Sequence, residues 1–287
     1  MDVQHPRRRR SARFAVLALV LTLAVSGCSA EVQRGFLPGY EDGQVTNMTE
    51  RITSLWTGSW IAALAVGVLT WGLIVWCVAV YRKRRDDDTL PVQLRYHVPL
   101  EIMYVILPIL MIGVLYFFTQ RDVSAIVDTS EEPDVTVQVW GKRWSWDFNY
   151  LDSNVWDSGE HVVDIGEPGN PETLPTLYLP VDKRVEIQVA SRDVIHSFWV
   201  PAFLFKRDMI PGRETSFQII PERVGTYAGK CAELCGENHS GMLFNVKVVP
   251  QEEYDQHMAD LAAAGQTGVL GADLNPSDKP SAVTGEN

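Results

Sequence analysis

Three apolar runs dominate the first part of the chain. The shortest, residues 14–25, is nearly uncharged but too short to cross a bilayer comfortably. Residues 55–81 and about 98–118 are each almost free of charge and long enough to span a membrane as a helix. This pattern predicts a two-helix transmembrane hairpin over residues 55–119.

The pattern changes to a period of two from about residue 120 onward. Short alternating runs separated by turns that contain glycine and proline are typical of a β-sandwich or barrel. We therefore predict an all-β domain over residues 120–250, with the Pro/Gly-rich residues 165–175 forming a loop. The apolar positions of this alternation are Val135, Val137, Val139, Trp144, Trp146, Phe148, Tyr150, Val185, Ile187, Val189, Phe217, Ile219, Phe244, Val246 and Val248.

The end of the chain has a different composition. Residues 252–264 show an amphipathic pattern and are predicted to form a short helix. Glycine, alanine, serine, proline and aspartate dominate the residues that follow, a composition that buries too little apolar surface to fold. We expect residues 251–287 to comprise this helix and a disordered tail.

The N-terminus resembles a bacterial export signal. Residues 7–10 are four arginines that precede the short apolar run, an arrangement typical of a secretory signal. Cys28 directly follows Val-Ser-Gly, which resembles a lipoprotein box. Residues 1–27 are therefore predicted to be a cleaved signal peptide of lipoprotein type, with Cys28 lipidated and residues 28–54 forming an exported segment. The alternative is an uncleaved anchor with an incidental cysteine.

The charge between the two apolar helices predicts the orientation of the hairpin. Residues 82–85 are Arg-Lys-Arg-Arg, and basic loops of this kind stay on the cytoplasmic side. Both ends of the hairpin then face outward, in agreement with an exported N-terminus. We predict a two-span protein of a bacterial plasma membrane, in contact with membrane lipid, whose all-β domain lies on the outer face.

One short loop holds the candidate chemistry. Cys231, Cys235, His239 and Met242 fall within twelve residues, and His196 lies in a strand-like run upstream. Thiolates, imidazoles and a thioether favour copper, zinc or iron–sulfur, whereas magnesium and calcium prefer oxygen ligands. The loop therefore predicts a site for a soft metal.

Two other interpretations apply to the same cysteines. Two cysteines four residues apart in an exported domain can form a disulfide, but a disulfide gives no reason for the spacing of His239 and Met242. A structural zinc site makes no use of a thioether. A single blue-copper ion takes two histidines, one cysteine and a weak methionine, so a second cysteine is what a second copper ion would need.

The loop pattern Cys-x-Glu-x-Cys-Gly-x-Asn-His-Ser-x-Met resembles the dinuclear copper A loop of subunit II of the haem–copper cytochrome c oxidases. Residues 193–201 and 210–213 match the same family, and the resemblance extends from the membrane hairpin to about residue 250. It implies a membrane-anchored all-β protein, with the two-helix transmembrane hairpin followed by a cupredoxin-like Greek-key β-sandwich that carries the metal at one pole.

The resemblance also implies the ligands of the two copper ions. The cysteines bridge the ions, the histidines are terminal ligands, the methionine is a weak axial ligand of one ion, and the glutamate offers its backbone carbonyl to the other. These six residues are His196, Cys231, Glu233, Cys235, His239 and Met242. The family further implies a magnesium ion held by the Glu233 side chain at the interface with subunit I. By residue type alone, Glu233 is a solvated loop residue.

An aromatic stripe at strand spacing runs through residues 140–148, and such stripes usually belong to the core. The segment resembles the family stretch Gly-His-Gln-Trp-Tyr-Trp, whose first tryptophan is the port for electrons from cytochrome c. The resemblance assigns that role to Trp144. Lys142 and Arg143 replace the His and Gln of the family, and Ser145 replaces its Tyr.

Glu101 lies in the first turn of the second predicted helix, near the cytoplasmic face. An acid at the edge of a membrane span can simply occupy the headgroup region. The segment resembles the family pattern Glu-x-x-Trp-x-x-x-Pro, with Tyr104 in place of Trp and Pro108 at its end. The resemblance implies that Glu101 marks the entrance of a proton-uptake path into subunit I.

The resemblance implies the subunit of a proton-pumping terminal oxidase that passes electrons to the haem of subunit I, where oxygen is reduced to water. Subunit I, further oxidase subunits and an electron donor are the expected partners, and no nucleic acid is expected. Cys-x-x-Cys-His, the haem-attachment motif, does not occur in the sequence. The donor is therefore expected to be a separate cytochrome c, or a cytochrome c subunit of a cytochrome bc complex.

The net negative charge of the chain bears on which electron donor it could bind. Residues 120–287 carry 27 acidic and 13 basic side chains, so the net charge of −11 is concentrated in the exported part. Such a surface keeps a domain soluble, and it would also steer a basic cytochrome c. Asp193, beside His196, matches a docking acid of the family.

Three other protein classes share part of this pattern. Copper chaperones and thiol oxidoreductases carry Cys-x-x-x-Cys and a histidine, but they would show one span and an α/β pattern. Subunit II of quinol oxidases has the hairpin and sandwich without the copper ligands. The copper domain of nitrous oxide reductase has the loop without the hairpin. Two spans, β alternation and the ligand loop together favour the cytochrome c oxidase family.

Overall fold

A computed structural model of the chain describes residues 29–39, 43–83, 90, 92–160 and 174–272. The predicted signal peptide, Cys28, half of the basic cluster at 82–85 and most of the predicted loop at 165–175 lie outside these residues. The described residues form two compact units, of which one holds most of the two long helices and the other holds the strands.

Two long helices follow a short helix, α1 (Ala30–Gln33). Helix α2 (Thr49–Val80) and helix α3 (Val98–Ile126) are both long and apolar enough to cross a membrane, and neither apolar window is buried inside the structure. Pro108 lies inside α3. These are the two apolar helices that the sequence predicts, and their exposed apolar surface suits contact with lipid or with other membrane helices.

Both helices are longer than their apolar runs. Helix α2 begins at Thr49 rather than 55, and α3 continues to Ile126 rather than 118. The Thr49 hydroxyl accepts hydrogen bonds from the backbone N–H groups of Val45 (3.1 Å) and Thr46 (3.3 Å), just before α2. Hydrophobicity marks only the segment within the bilayer, whereas the backbone hydrogen-bond ladder continues into polar surroundings.

Within the part of the second unit that the structure describes there are ten strands. Their bounds are β1 (Val135–Lys142), β2 (Ser145–Tyr150), β3 (Val155–Ser158), β4 (Thr176–Pro180), β5 (Val185–Ser191), β6 (His196–Val200), β7 (Phe205–Met209), β8 (Thr215–Ile219), β9 (Gly225–Cys231) and β10 (Leu243–Val249). One sheet has the order β3-β2-β1-β5-β8 and the other the order β4-β10-β9-β6-β7. The predicted two-sheet sandwich is therefore confirmed.

The register places the alternating apolar residues on the inner faces. Parallel pairing of β1 with β5 sets Val137 beside Ile187, and antiparallel pairing of β9 with β10 sets Val246 beside Tyr227. These side chains join one continuous core. Every alternating position predicted above is buried except Trp144, which lies in the turn between β1 and β2 and is only half-buried.

The N-terminal boundary of the sandwich differs from the prediction. Val45 and Met48 are buried in the core, and Asn47 exchanges two hydrogen bonds with Ile220, through its backbone N–H (3.1 Å) and its side-chain oxygen (2.9 Å). The described residues 36–39 and 43–52 thus belong to the same compact unit as the sandwich. Their two apolar anchors are too few to produce a detectable period.

Helix α4 (Gln251–Ala263) lies within one residue of its predicted bounds. Its apolar face, formed by Tyr254, Met258 and Leu261, is buried against the sandwich core. This burial explains why a helix with a polar average composition is stable here, since packing of one face supplies most of its stability.

The chain directly after α4 differs from the predicted disordered tail, of which residues 273–287 lie outside the described residues. Residues 265–271, here called the C-terminal strap, pair with β3 through a bridge between Val155 and Thr267. Leu270 is buried, and Asn149 holds its backbone with two hydrogen bonds of 3.0 Å. Backbone pairing leaves no mark on composition, so a polar sequence with one apolar anchor resembled a disordered tail.

We expect Asn149→Ala to loosen the strap. The substitution leaves the buried N–H and C=O of Leu270 without their partner, which costs about 2 kcal/mol of unfolding free energy. Chemical unfolding of the full chain in detergent measures this loss. Gln256→Ala, which removes an exposed hydrogen bond to Asp260, is the control and should change stability by less than about 0.5 kcal/mol. Equal stability of the two variants would contradict the role of Asn149.

Candidate metal centre

The candidate ligands meet at one pole of the sandwich. Cys231 ends β9, and the loop that follows it reaches Met242 immediately before β10. His196 begins β6, which pairs with β9 so that Phe198 lies opposite Cys231. A backbone hydrogen bond from the Cys231 N–H to the Met242 carbonyl (3.0 Å) closes the loop. Strand pairing therefore brings a distant histidine to the loop.

All six predicted copper ligands lie together. The Sγ atoms of Cys231 and Cys235 are 3.8 Å apart, and Cys231 Sγ is 3.8 Å from His196 Nδ1. Cys235 Sγ lies 3.4 Å from His239 Nδ1 and 3.7 Å from Met242 Sδ. The Glu233 carbonyl is 3.2 Å from Cys231 Sγ, while its side chain is exposed.

The donor set fits copper. Cys231 and Cys235 are free thiols whose separation is far longer than a disulfide bond of about 2 Å. Two sulfurs, two imidazole nitrogens, a thioether and a carbonyl, mostly buried, are soft or borderline donors that suit copper. A zinc site would leave the thioether of Met242 without a use.

Asp193 orients His196. Its Oδ1 lies 2.7 Å from His196 Nε2, so Nδ1 is the nitrogen that faces the thiols. Burial acts to lower the pKa of His196, but the hydrogen bond to Asp193 and the contact with Cys231 outweigh it and raise that pKa. Burial likewise acts to raise the pKa of Asp193, and its hydrogen bonds, first that with His196, lower it. Such support from a second residue maintains ligand orientation.

The two thiols titrate as a pair. The contact with the Cys235 thiol lowers the pKa of Cys231, and His196 acts in the same direction. The same contact raises the pKa of Cys235, because its ionisation would place a second negative charge beside the first. The first thiolate is thus favoured at neutral pH, and a bound cation would stabilise the second.

Trp144 contacts the ligand loop directly. Its indole Nε1 donates a hydrogen bond to the Cys235 carbonyl (3.3 Å). A Cβ atom at Gly236 would lie 2.9 Å from Trp144 Cζ2, so the ring lies against the backbone there. Trp146 and Phe148 are fully buried, which confirms that they belong to the core. The half-buried Trp144 therefore lies between the loop and the surface.

Glu101 is far in the sequence from the candidate metal ligands and lies in the first turn of α3. Its Oε1 accepts a hydrogen bond from the His97 backbone N–H (3.0 Å), just before the helix. The carboxylate therefore stabilises the N-terminus of its own helix. Its role at a proton path stays a prediction.

The sequence did not reveal the supporting roles of three residues. Asp193 matches a docking acid of the family, and in the structure its buried carboxylate binds His196 and accepts the Arg143 backbone N–H (2.7 Å). Gly141 allows close approach, since a Cβ there would lie 3.0 Å from the His196 ring. A glycine inside a strand is a known sign of such an approach. Gly236 has φ +127°, which L side chains rarely adopt.

The chain is similar to a known protein family and to individual proteins of other organisms. The family described as "Cytochrome C oxidase subunit II, periplasmic domain" matches residues 135–249. A protein of Streptomyces avermitilis named "Probable cytochrome c oxidase subunit 2" is 44% identical, and the match covers 94% of this chain and 92% of that protein. A protein of the same name from Streptomyces coelicolor is 43% identical, with the same coverage of 94% and 92%.

Solved structures are also similar to part of the chain. The periplasmic domain of subunit II of cytochrome oxidase from Bradyrhizobium japonicum is 30% identical, with a TM-score of 0.42. The match covers 47% of this chain and 97% of that domain.

We expect Gly236→Ala to displace the Trp144 indole from the loop. Both the positive φ and the close approach oppose a side chain, so the loss of unfolding free energy should exceed that of Gly212→Ala by at least about 1 kcal/mol. Gly212 is the matched control, because its φ is also positive (+73°) while nothing lies within 4 Å of its added Cβ. Chemical unfolding with tryptophan fluorescence measures both variants. Equal losses would show that Trp144 does not press on Gly236.

Proposed function

The chain belongs to the cytochrome c oxidase subunit II family, and we propose that it accepts electrons from a cytochrome c at a dinuclear copper A centre and passes them to the haem of subunit I. Members of this family are subunits of cytochrome c oxidase, an oxidoreductase. Two long apolar helices followed by a two-sheet β-sandwich confirm the predicted fold. The observation that carries the proposal is the pair of buried thiols between two imidazoles.

The chain's own residues would hold the copper pair. Cys231 and Cys235 would supply the thiolates that hold the two ions together, and His196 and His239, each next to one of these sulfurs, would supply imidazole nitrogens. Met242 and the Glu233 carbonyl would complete the set. Such a pair would supply a centre that shares one unpaired electron, so that gain or loss of an electron would change the charge on each ion little. The rigid strand pairing would keep the ligands still during that change.

Trp144 would serve as the electron port. Its indole lies in the half-exposed turn and donates one hydrogen bond to the Cys235 carbonyl. An electron that enters at the indole would therefore reach the ligand loop across a single hydrogen bond. The acidic exported surface would attract a basic donor. The donor would be a cytochrome c or a cytochrome c subunit of a cytochrome bc complex.

The remaining assignments extend the same proposal. The two helices would anchor the chain to a bacterial plasma membrane beside subunit I, with the copper domain on the outer face. Glu101 would mark the entrance of a proton path into subunit I, in support of proton pumping. The exposed Glu233 side chain would bind magnesium at that interface. Cleavage before Cys28 and its lipidation would add a second membrane anchor.

We expect Cys235→Ser to remove the shared-electron centre. Loss of one bridging thiolate leaves no second sulfur to join two ions, so copper content should fall from two to one or none. Electron paramagnetic resonance of the copper-loaded full chain, with metal counted in parallel, measures this. Two ions that share one electron give a seven-line hyperfine pattern, and a single ion gives four lines.

Cys77→Ser is the matched control, because Cys77 is an exposed thiol in α2 outside the site. It should retain the seven-line pattern. An unchanged spectrum and copper content in Cys235→Ser would exclude the bridging role. Zinc or a disulfide in the unmodified chain would exclude the copper assignment itself.

We expect Trp144→Phe to slow reduction of the copper centre by reduced cytochrome c about tenfold or more, because the hydrogen bond to Cys235 is lost. Reaction of the fully reduced oxidase with oxygen should keep its rate. Stopped-flow absorbance follows both steps. Trp199→Phe, a half-buried tryptophan beneath Lys230, is the control and should leave both rates unchanged. Equal reduction rates for both variants would move the port away from Trp144.

A further inference from the structure

A buried group of charges lies at the base of the Trp144 turn. The Asp147 carboxylate accepts hydrogen bonds from Ser158 Oγ (2.6 Å) and from Arg192 Nη1, and Lys142 Nζ lies 2.7 Å from its Oδ1. The side chains of Asp147 and Arg192 are each 1% exposed, and that of Lys142 is 6% exposed. We call Lys142, Asp147, Ser158 and Arg192 the Asp147 cluster.

The Asp147 cluster ties together the strand ends at the copper pole. Lys142 is the last residue of β1, Ser158 the last of β3, and Arg192 directly follows β5. Asp147 itself lies in β2, opposite Trp140. The Arg192 backbone N–H also donates to the Gly141 carbonyl (3.0 Å). One carboxylate therefore joins the ends of β1, β3 and β5 to β2.

The chemistry of the cluster is unusual for a purely structural contact. Buried charges carry a large desolvation cost, and apolar residues of similar volume are often as stable or more stable. What a buried ion pair does provide is directional geometry, because each donor must meet a particular oxygen. The cluster is thus better suited to fixing positions than to adding stability.

Two routes lead from the cluster to the proposed electron port. The first runs through the turn itself, since Lys142 and Asp147 flank Arg143, Trp144 and Ser145 on both sides. The second runs through Arg192 to its neighbour Asp193, whose carboxylate accepts the Arg143 backbone N–H (2.7 Å). The turn is therefore fixed from its base and from its side.

The C-terminal strap completes the arrangement. The Gly271 carbonyl accepts a hydrogen bond from Arg192 Nε (3.1 Å), and the guanidinium lies 5.1 Å from the centre of the Trp140 ring. The guanidinium is thus held between an aromatic face, a carbonyl and a carboxylate. These three contacts fix the position of the Arg192 side chain, and Arg192 is the residue directly before Asp193 in the chain.

We propose that Asp147, through Lys142 and Arg192, is a positioning residue for electron transfer into the copper centre. It holds the turn between β1 and β2 so that the Trp144 indole stays against Cys235 and Gly236. The proposal rests on the proposed function, because it needs Trp144 to be the port. Lys142 stands where the family has a histidine. The proposal gives this lysine a role inside the protein rather than in donor docking.

The first test is a double-mutant cycle in the purified oxidase that contains the full chain. Asp147→Asn should slow copper reduction by saturating reduced cytochrome c about tenfold, with an unchanged half-saturating concentration. The copper content and the electron paramagnetic resonance spectrum should stay as in the unmodified protein. Because Asp147 acts through Trp144, the variant with both Asp147→Asn and Trp144→Phe should be no slower than Trp144→Phe alone.

A second variant keeps the test valid if Asp147→Asn does not fold. Asp147→Asn combined with Arg192→Gln removes one negative and one positive charge, so the net charge of the cluster stays at +1. It should slow reduction to a similar extent. Val248→Ala is the control for general destabilisation, since Val248 is a buried core residue near the other end of β10 from Met242.

A readout on the copper-free full chain in detergent tests the position of Trp144 without activity. In protein labelled with 5-fluorotryptophan, the ¹⁹F resonance that disappears in Trp144→Phe belongs to Trp144. This resonance should shift or broaden in Asp147→Asn and in the paired variant. It should stay in place in Val248→Ala.

The outcomes separate this proposal from the proposed function. If Trp144→Phe slows reduction while Asp147→Asn and the paired variant do not, the positioning role is excluded and the port remains. The same holds if Asp147→Asn and Trp144→Phe slow reduction by independent factors that multiply, or if the Trp144 resonance does not move. If Trp144→Phe has no effect, the port assignment fails, and the positioning proposal fails with it.

Discussion

Pairing between β6 and β9 is the constraint on which the candidate metal centre depends. It places His196 next to Cys231 although the two are 35 residues apart in the sequence. Both strands are internal in their sheet, and their side chains rest on a fully buried aromatic core. The thiols and the imidazole are therefore held close together by the fold itself, which is what rapid electron transfer needs from a metal ligand set.

Asp193 extends this constraint to the surface. One oxygen of its carboxylate binds His196 Nε2, and the other accepts the N–H of Arg143, the residue before Trp144. His196 and the proposed electron port are thus oriented by the same side chain. Two glycines allow the close contacts around these residues. A side chain at Gly141 would collide with the His196 ring, and one at Gly236 would collide with the Trp144 ring.

Segments remote from the strands complete the sandwich around this pole. Residues 36–52 add Val45 and Met48 to the core, and the C-terminal strap binds Asn149, Trp156 and Arg192. These contacts are mostly hydrogen bonds to backbone atoms. Since backbone groups are the same in every residue, the contacts need little from the local sequence except a few anchors.

The amino-acid sequence by itself determined the two long apolar helices, the alternating core and the chemistry of the candidate copper ligands. Each depends on local features: long apolar runs, a period of two, and soft donors within twelve residues. Only the tertiary structure decided that Asp193 faces His196, that Lys142 is buried against Asp147, and that the strap is folded. Such contacts join residues far apart in the chain, and their energies depend on burial and direction, which no local pattern records.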